Sequence, residues 1–301
     1  MQLGFVSAIL ADMTVEEVFE FAGGEGFECV ELMCWPPGKA DRRYAGVCHI
    51  NVTDFSPAYA DHLRELSQTH GVGISGLGYY PNPLGGDAAT RAFLVSHLKK
   101  VISASSMLGV GIVNTFIGRD PWKTIDDNFA LVHEVWPGLV AHAGCANVRI
   151  GIENCPMLFS KDEWPGGKNL AINPATWDRL FAEFPDGTLG LNFDPSHLVY
   201  QMIDPARCIR DYGKHLVHFH AKDIRIDPER LQREGIMGSG WHTPKLPGLG
   251  EVRWGEIFSA LNEVQYAGAV CIEVEDRAYE GSQADRKRGL LQSRRYLSQW
   301  F

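Results

Sequence analysis

The chain has 301 residues, 45% of them hydrophobic and 22% charged, an ordinary balance for a soluble globular protein with a sizeable core. A formal net charge of -9 argues against a nucleic-acid surface or an anionic membrane as the main partner, because either would have to overcome long-range repulsion. No run approaches the roughly 18 apolar residues that a membrane span needs, residues 1–14 lack a basic region ahead of an apolar stretch, and seven cysteines without a Cys-x-x-Cys pair read as free thiols, so a cytoplasmic protein is expected.

Short apolar or β-branched runs alternate with longer helical patterns. Residues 3–8 read as a first strand, followed by a cap at 12–14 and a helix running to about Gly24 with Glu16 and Glu17 in its first turn. A second strand at 27–33 leads into a Pro/Gly-rich loop containing Trp35. Ser56-Pro57 opens the next helix, with Pro at its first turn, and residues 72–78 form a third strand. A helix at about 88–108, a strand at 110–116 and a helix at 121–142 with a kink expected at Pro137 come next. The fifth strand is 148–153, and a loop rich in Gly, Pro and Trp follows it. Asn173-Pro174 begins another helix, and 189–193 is a sixth strand ending in Asp194. A helix at about 204–212, a seventh strand at 216–221, a long loop at 222–252, a helix at 254–264, an eighth strand at 269–274 and a basic amphipathic helix at 283–300 complete the chain.

Eight strand signals, each followed by a helix signal and spread over residues 1–301 with no linker or composition break, predict a single (β/α)8 TIM barrel domain. A doubly wound sheet would place a Gly-rich fingerprint after the first strand, and Ser7-Ala8-Ile9-Leu10 offers none.

In such a barrel, function sits at the carboxyl ends of the strands. The fifth strand ends Ile152-Glu153-Asn154, the sixth Phe193-Asp194, the seventh His218-Phe219-His220-Ala221-Lys222-Asp223 and the eighth Ile272-Glu273-Val274-Glu275. Strand alternation allows Glu153, Asp194, His220 and Glu273 to converge on one divalent cation. Three carboxylates and one imidazole favour Mn²⁺, with Mg²⁺, Co²⁺, Fe²⁺ or Zn²⁺ as alternatives. Without a cation, such carboxylates repel one another and protonate. Each residue alone has a bland reading as a loop cap or ion-pair member, and His218 competes with His220 if the strand phase is off by one pair.

Taken together, Glu153-Asn154, Asp194-Pro195-Ser196-His197, His218-Phe219-His220-Ala221-Lys222-Asp223 and Ile272-Glu273 resemble the xylose-isomerase-like TIM-barrel superfamily of sugar phosphate isomerases and epimerases, which includes ketose 3-epimerases and inosose-processing enzymes. The resemblance implies a metal held by Glu153, Asp194, His220 and Glu273, with His197 near the substrate. It also implies Glu153 and Glu273 as the pair that removes and returns a proton beside a carbonyl, through an enediolate. The expected partner is a small carbohydrate.

His197, Lys222 and Asn154 are candidates to hold substrate oxygens, with Arg225 further out. For Lys222 an inward ion pair with Asp194 or Glu273 is the competing reading. Trp35 and Tyr79 stand ready to stack on a sugar face, with Glu31, Tyr80 and Asn114 nearby. The loop at 222–252 is long enough to act as a lid. Its His242 reads as a second ligand or an acid, and its Gly248-Leu249-Gly250 as a weak phosphate-cradle signal. A lyase or dehydratase acting on inososes or keto-glycosides would use the same residues. A three-zinc apurinic endonuclease would need histidines at the third and fourth strand ends, where Gly78-Tyr79 and Asn114-Thr115 stand, so one metal is expected. A metal-free binding module would lack one or more of the four ligands. The closing helix and the exposed barrel helices leave a homo-oligomer open.

Overall fold

A computed structural model describes residues 1–38, 44–157 and 167–301. The middle of the Gly/Pro/Trp-rich loop after the fifth strand lies outside them. Eight parallel strands close into a barrel: β1 (Gln2–Val6), β2 (Cys29–Met33), β3 (Gly73–Gly78), β4 (Ile112–Thr115), β5 (Arg149–Glu153), β6 (Leu189–Phe193), β7 (Leu216–Ala221) and the last strand, β10 (Ala269–Ile272), which pairs with β1 to complete the ring. Two further strands, β8 (Asp223–Ile226) and β9 (His242–Lys245), form a separate antiparallel pair.

Most helices among the described residues begin where a side-chain oxygen caps them. Thr14 and Glu17 form a reciprocal capping box ahead of α1 (Val15–Gly24), and Asn173 with Thr176 does the same for α6 (Pro174–Glu183). Ser56 caps α2 (Pro57–His70), Asp87 caps α3 (Ala88–Leu108) and Ser282 caps the last long helix. The expected kink at Pro137 is a full break: α4 (Ile125–Val135) and α5 (Pro137–Cys145) abut at Trp136, because Pro137 has no N–H to continue the ladder. Then come α7 (Ser196–Val199), α8 (Pro205–Tyr212), α9 (Pro228–Glu234), α10 (Trp254–Glu263) and α11 (Gln283–Leu297). No helix among the described residues is long and apolar enough to cross a membrane.

The large apolar side chains, among them Phe5, Phe19, Trp136, Trp177 and Trp254, fill one cluster together with the buried faces of the helices. The interior is different, carrying small or polar groups beneath the mouth. His218 bonds Ser75 Oγ through Nε2 (3.1 Å) and Asn192 Oδ1 through Nδ1 (3.0 Å), one layer below His220. Both ring nitrogens of His218 thus have hydrogen-bond partners on neighbouring strands, and Nδ1 also lies 3.6 Å from Glu31 Oε2, so that Glu31, His218 and His220 form one ligand-capable group.

The long stretch after β7 is not a plain loop. β8 and β9 pair Asp223 with Lys245 and Ile226 with His242, with α9 between them. Asp223 ties the stretch down: its carboxylate accepts from the N–H groups of Ile224, Gly248 and Val252 and from Trp254 Nε1, each at 2.8–2.9 Å. Gly248 N–H is thereby spent, and a Cβ at Gly250 would collide with Ile224 O and Asp223 Oδ1. The Gly-Leu-Gly turn is a knot around Asp223 rather than a phosphate cradle.

Candidate metal and substrate site

Glu153 ends β5, Asp194 follows β6, His220 lies in β7 and Glu273 follows β10, so each reaches the same end of the barrel. One oxygen each of Glu153 and Glu273 and one nitrogen of His220 lie within 4.8 Å of one another. His220 Nδ1 stands 3.8 Å from Glu153 Oε1 and 3.6 Å from Glu273 Oε2, too far for hydrogen bonds, and it is buried with no hydrogen-bond partner among the described residues. Its other nitrogen is engaged: Nε2 is 2.8 Å from Glu31 Oε2 and 3.0 Å from Asn192. With Nε2–H donated to Glu31, Nδ1 is the nitrogen aimed at the carboxylates, the arrangement in which a carboxylate orients a metal-binding imidazole. A donor set of acidic oxygens around one buried imidazole nitrogen fits a divalent cation; Asp194, expected as a fourth ligand, is outside this cluster and has its Oδ2 3.0 Å from Lys222 Nζ and 3.3 Å from His197 Nε2.

Lys222 supplies the local positive charge. Its Nζ is 3.0 Å from Asp194 Oδ2, 2.5 Å from Glu273 Oε2 and 3.2 Å from Glu275 Oε2. The inward ion pair is thus what the structure holds, and it is wider than expected, because Glu275 joins it. Burial favours a neutral Glu273, but the Lys222 ammonium outweighs it and brings the carboxyl down to about 2. Burial likewise opposes ionisation of Glu153, and its contacts with His197 and His220 reverse that, holding it well below the ordinary range. Both carboxylates are therefore charged at neutral pH.

The remaining candidates divide. His197, on α7, belongs to the site: Nε2 is 3.4 Å from Glu153 Oε1 and 3.3 Å from Asp194 Oδ2, and Nδ1 is 3.3 Å from Tyr200 Oη. Asn154 is engaged with the backbone of Asp194. Its Nδ2 donates to the Asp194 carbonyl (2.9 Å) and its Oδ1 accepts from the Asp194 N–H (2.7 Å). His242 stacks flat on Tyr200, ring centroids 4.2 Å apart, and belongs to none of the ligand-capable clusters among the described residues. Arg225 is exposed on β8.

Tyr79 lies away from the mouth, buried between Trp35 and His97 of α3. Its neighbour Tyr80 takes the interior place, donating to Glu31 Oε1 and lying 3.4 Å from His220 Nε2. The reason is a bulge. Val30 pairs with Ile74 but Glu31 with Gly76, so Ser75 is an extra residue and the alternation of β3 changes phase there. Counting in twos from inward-facing Ser75 reaches Tyr79; counting after the bulge reaches Gly78 and Tyr80. Trp35 is half-buried, edge-on to Tyr79.

A family model described as xylose isomerase-like TIM barrel matches residues 19–300. Among curated proteins, the chain is 25% identical to the uncharacterized protein YfiH of Bacillus subtilis, over 92% of this chain and 93% of that one. It is 32% identical to an inosose dehydratase of Clostridium beijerinckii over 33% of this chain and 34% of the relative. Among solved structures, the IOLI protein with a binding zinc atom superposes with a TM-score of 0.71 at 18% identity, covering 100% of this chain and 99% of the other. With the closed parallel barrel, the ligand-type residues at four successive strand ends and a match running from the first helix to the last, the chain belongs to the xylose isomerase-like TIM barrel family.

Proposed function

We propose that this chain is a divalent-cation-dependent enzyme that takes a proton from the carbon beside a carbonyl of a small polyhydroxylated substrate, and that its first activity is epimerisation or isomerisation of a sugar. The observation that carries this reading is the buried meeting of Glu153, Glu273 and the unpartnered Nδ1 of His220. Glu153, Asp194, His220 and Glu273 would hold the ion, with Mn²⁺ the first candidate among hard divalent ions. When bound, the cation supplies Lewis-acid stabilisation of the negative charge that develops on the substrate oxygens.

The chain's own residues do the rest. Glu153 and Glu273 come from well-separated strands of the ring and are both ionised, so either can accept the proton from carbon while the other, once protonated, returns one to the opposite face. That exchange inverts a stereocentre; return to the neighbouring carbon isomerises. Lys222 holds Glu273 in place and keeps it charged. His197 faces Glu153 and Asp194 and is oriented by Tyr200, which suits it to a substrate oxygen.

A second reading, dehydration of an inosose or related cyclic ketone, is favoured by the identity to the curated inosose dehydratase. It uses the same proton abstraction, followed by loss of a β-hydroxyl to which His197 gives a proton. One experiment covers both: ketoses and inososes are incubated with the Mn²⁺-supplemented protein in deuterated water. Deuterium on the carbon beside the carbonyl with the formula otherwise unchanged marks the isomerase; loss of water marks the dehydratase. Neither outcome with any such substrate, or exchange undiminished in Glu153→Gln and Glu273→Gln, overturns the proposal.

A further inference from the structure

Beside the first ligand set lies a second group that shares Glu153 and His197 with the proposed reaction and adds a sulfur the reaction does not use. One oxygen of Glu153, Cys155 Sγ and one ring nitrogen of His197 lie within 4.8 Å of one another. His197 is 8% exposed, and its Nε2 is buried with no hydrogen-bond partner among the described residues. Its Nδ1 meets Tyr200 Oη at 3.3 Å, and an ion at Nε2 would displace the proton that Nε2 holds toward Asp194 Oδ2 and Glu153 Oε1, 3.3 and 3.4 Å away. The Cys155 thiol is half-buried and turned toward sulfur, 3.3 Å from Met157 Sδ. Met157 has a φ of 55°, a left-handed conformation unusual for this residue type. The loop leaving β5 thus brings the Cys155 sulfur within reach of Glu153 and His197.

We propose that Glu153, Cys155 and His197 form a second cation position, selective for a thiophilic ion of the zinc type, which shares the Glu153 carboxylate with the first. One sulfur, one imidazole nitrogen and one carboxylate oxygen make three protein ligands, the number that leaves a tetrahedral ion one open coordination place. The first position, built of oxygens and one nitrogen, selects hard ions; the second differs from it by its sulfur donor. Occupation of both would leave Glu153 bridging and unable to act as a base. The proposal shares Glu153 and His197 with the reaction assigned above but does not rest on it, since the test reads ion binding and not turnover.

The test is titration of the metal-stripped protein with Co²⁺, followed by absorption spectroscopy and elemental analysis. Two cobalt ions per chain are expected, one of them accompanied by a near-ultraviolet thiolate-to-cobalt charge-transfer band. Cys155→Ser should lose that band and one ion while keeping the other. Glu273→Gln, which leaves the second position intact, should keep the band. A single ion per chain without a thiolate band in the unaltered protein overturns the proposal, as does a band that survives in Cys155→Ser. Neither result touches the first position, whose failure would appear as no cobalt uptake at all in Cys155→Ser.

Discussion

Glu31 Oε2 lies 2.8 Å from His220 Nε2 in the interior of the barrel, and this contact decides which face of the imidazole looks at the site. The tautomer is assigned from the partners: Nε2–H goes to the carboxylate, and Nδ1 is left for a cation. Glu31→Gln keeps the shape but weakens the acceptor, and is expected to lower Mn²⁺ affinity by roughly 10–100-fold, the range for such supporting partners. Competition with a chelating dye measures it. Unchanged affinity would reduce Glu31 to a packing role.

Lys222 faces three acidic side chains from a fully buried position. In Lys222→Met the carboxylates lose their counter-charge, so the metal-free protein is expected to lose about 3 kcal/mol of stability. Saturating Mn²⁺ should recover most of it, so the gain in melting temperature on adding metal should be larger in the variant than in the parent. An equal gain in both would show that the ammonium and the ion do not answer the same charges.

The adjacent tyrosines should separate cleanly. Tyr79 Oη is buried with no hydrogen-bond partner among the described residues, so Tyr79→Phe should stabilise the fold by about 1 kcal/mol and leave metal binding alone. Tyr80→Phe removes a donor from Glu31 and should weaken Mn²⁺ binding several-fold. Denaturant melts and metal titrations on both variants check the pair; the reverse pattern would place Tyr79 at the mouth.

His242 carries a pH signature. Burial first, then the charge of His197, bring it down to about 4. An unfolded histidine titrates near ~6.5, so as the pH falls below that value the unfolded chain takes a proton that the folded one refuses. Stability present above ~6.5 is therefore lost on the way toward 4. His242→Phe keeps the stack on Tyr200 and should cut this acid-induced loss by about 1 kcal/mol between pH ~7 and ~5, allowing for partial exposure. Parallel stability curves for the two proteins would refute the assignment.

The barrel and the four ligand-type residues were legible because each sits at the end of a short apolar run, and strand ends are where alternation is easiest to read. Asn173, ahead of Pro174, likewise announced its helix. The bulge at Ser75 was not legible: an extra residue in a parallel strand leaves no local mark, and Gly76 and Gly78 have no side chains to reveal the new phase. The pairing of β8 with β9 escaped for another reason, since the two segments are separated by a helix and share no turn signal. The role of Asn154 depended on a contact across 40 residues to the Asp194 backbone, which no spacing encodes.

Asp223 has a consequence for how this architecture can diversify. Its single carboxylate fastens both the outgoing strand β8 and the returning segment at Gly248 and Val252. The stretch between is clamped at its base like a cassette in a frame. Lengthening or rewriting residues 227–241 therefore leaves the backbone of His220 and Lys222 undisturbed, so this stretch can be refitted while the cluster of Glu153, His220 and Glu273 at the barrel end keeps its geometry.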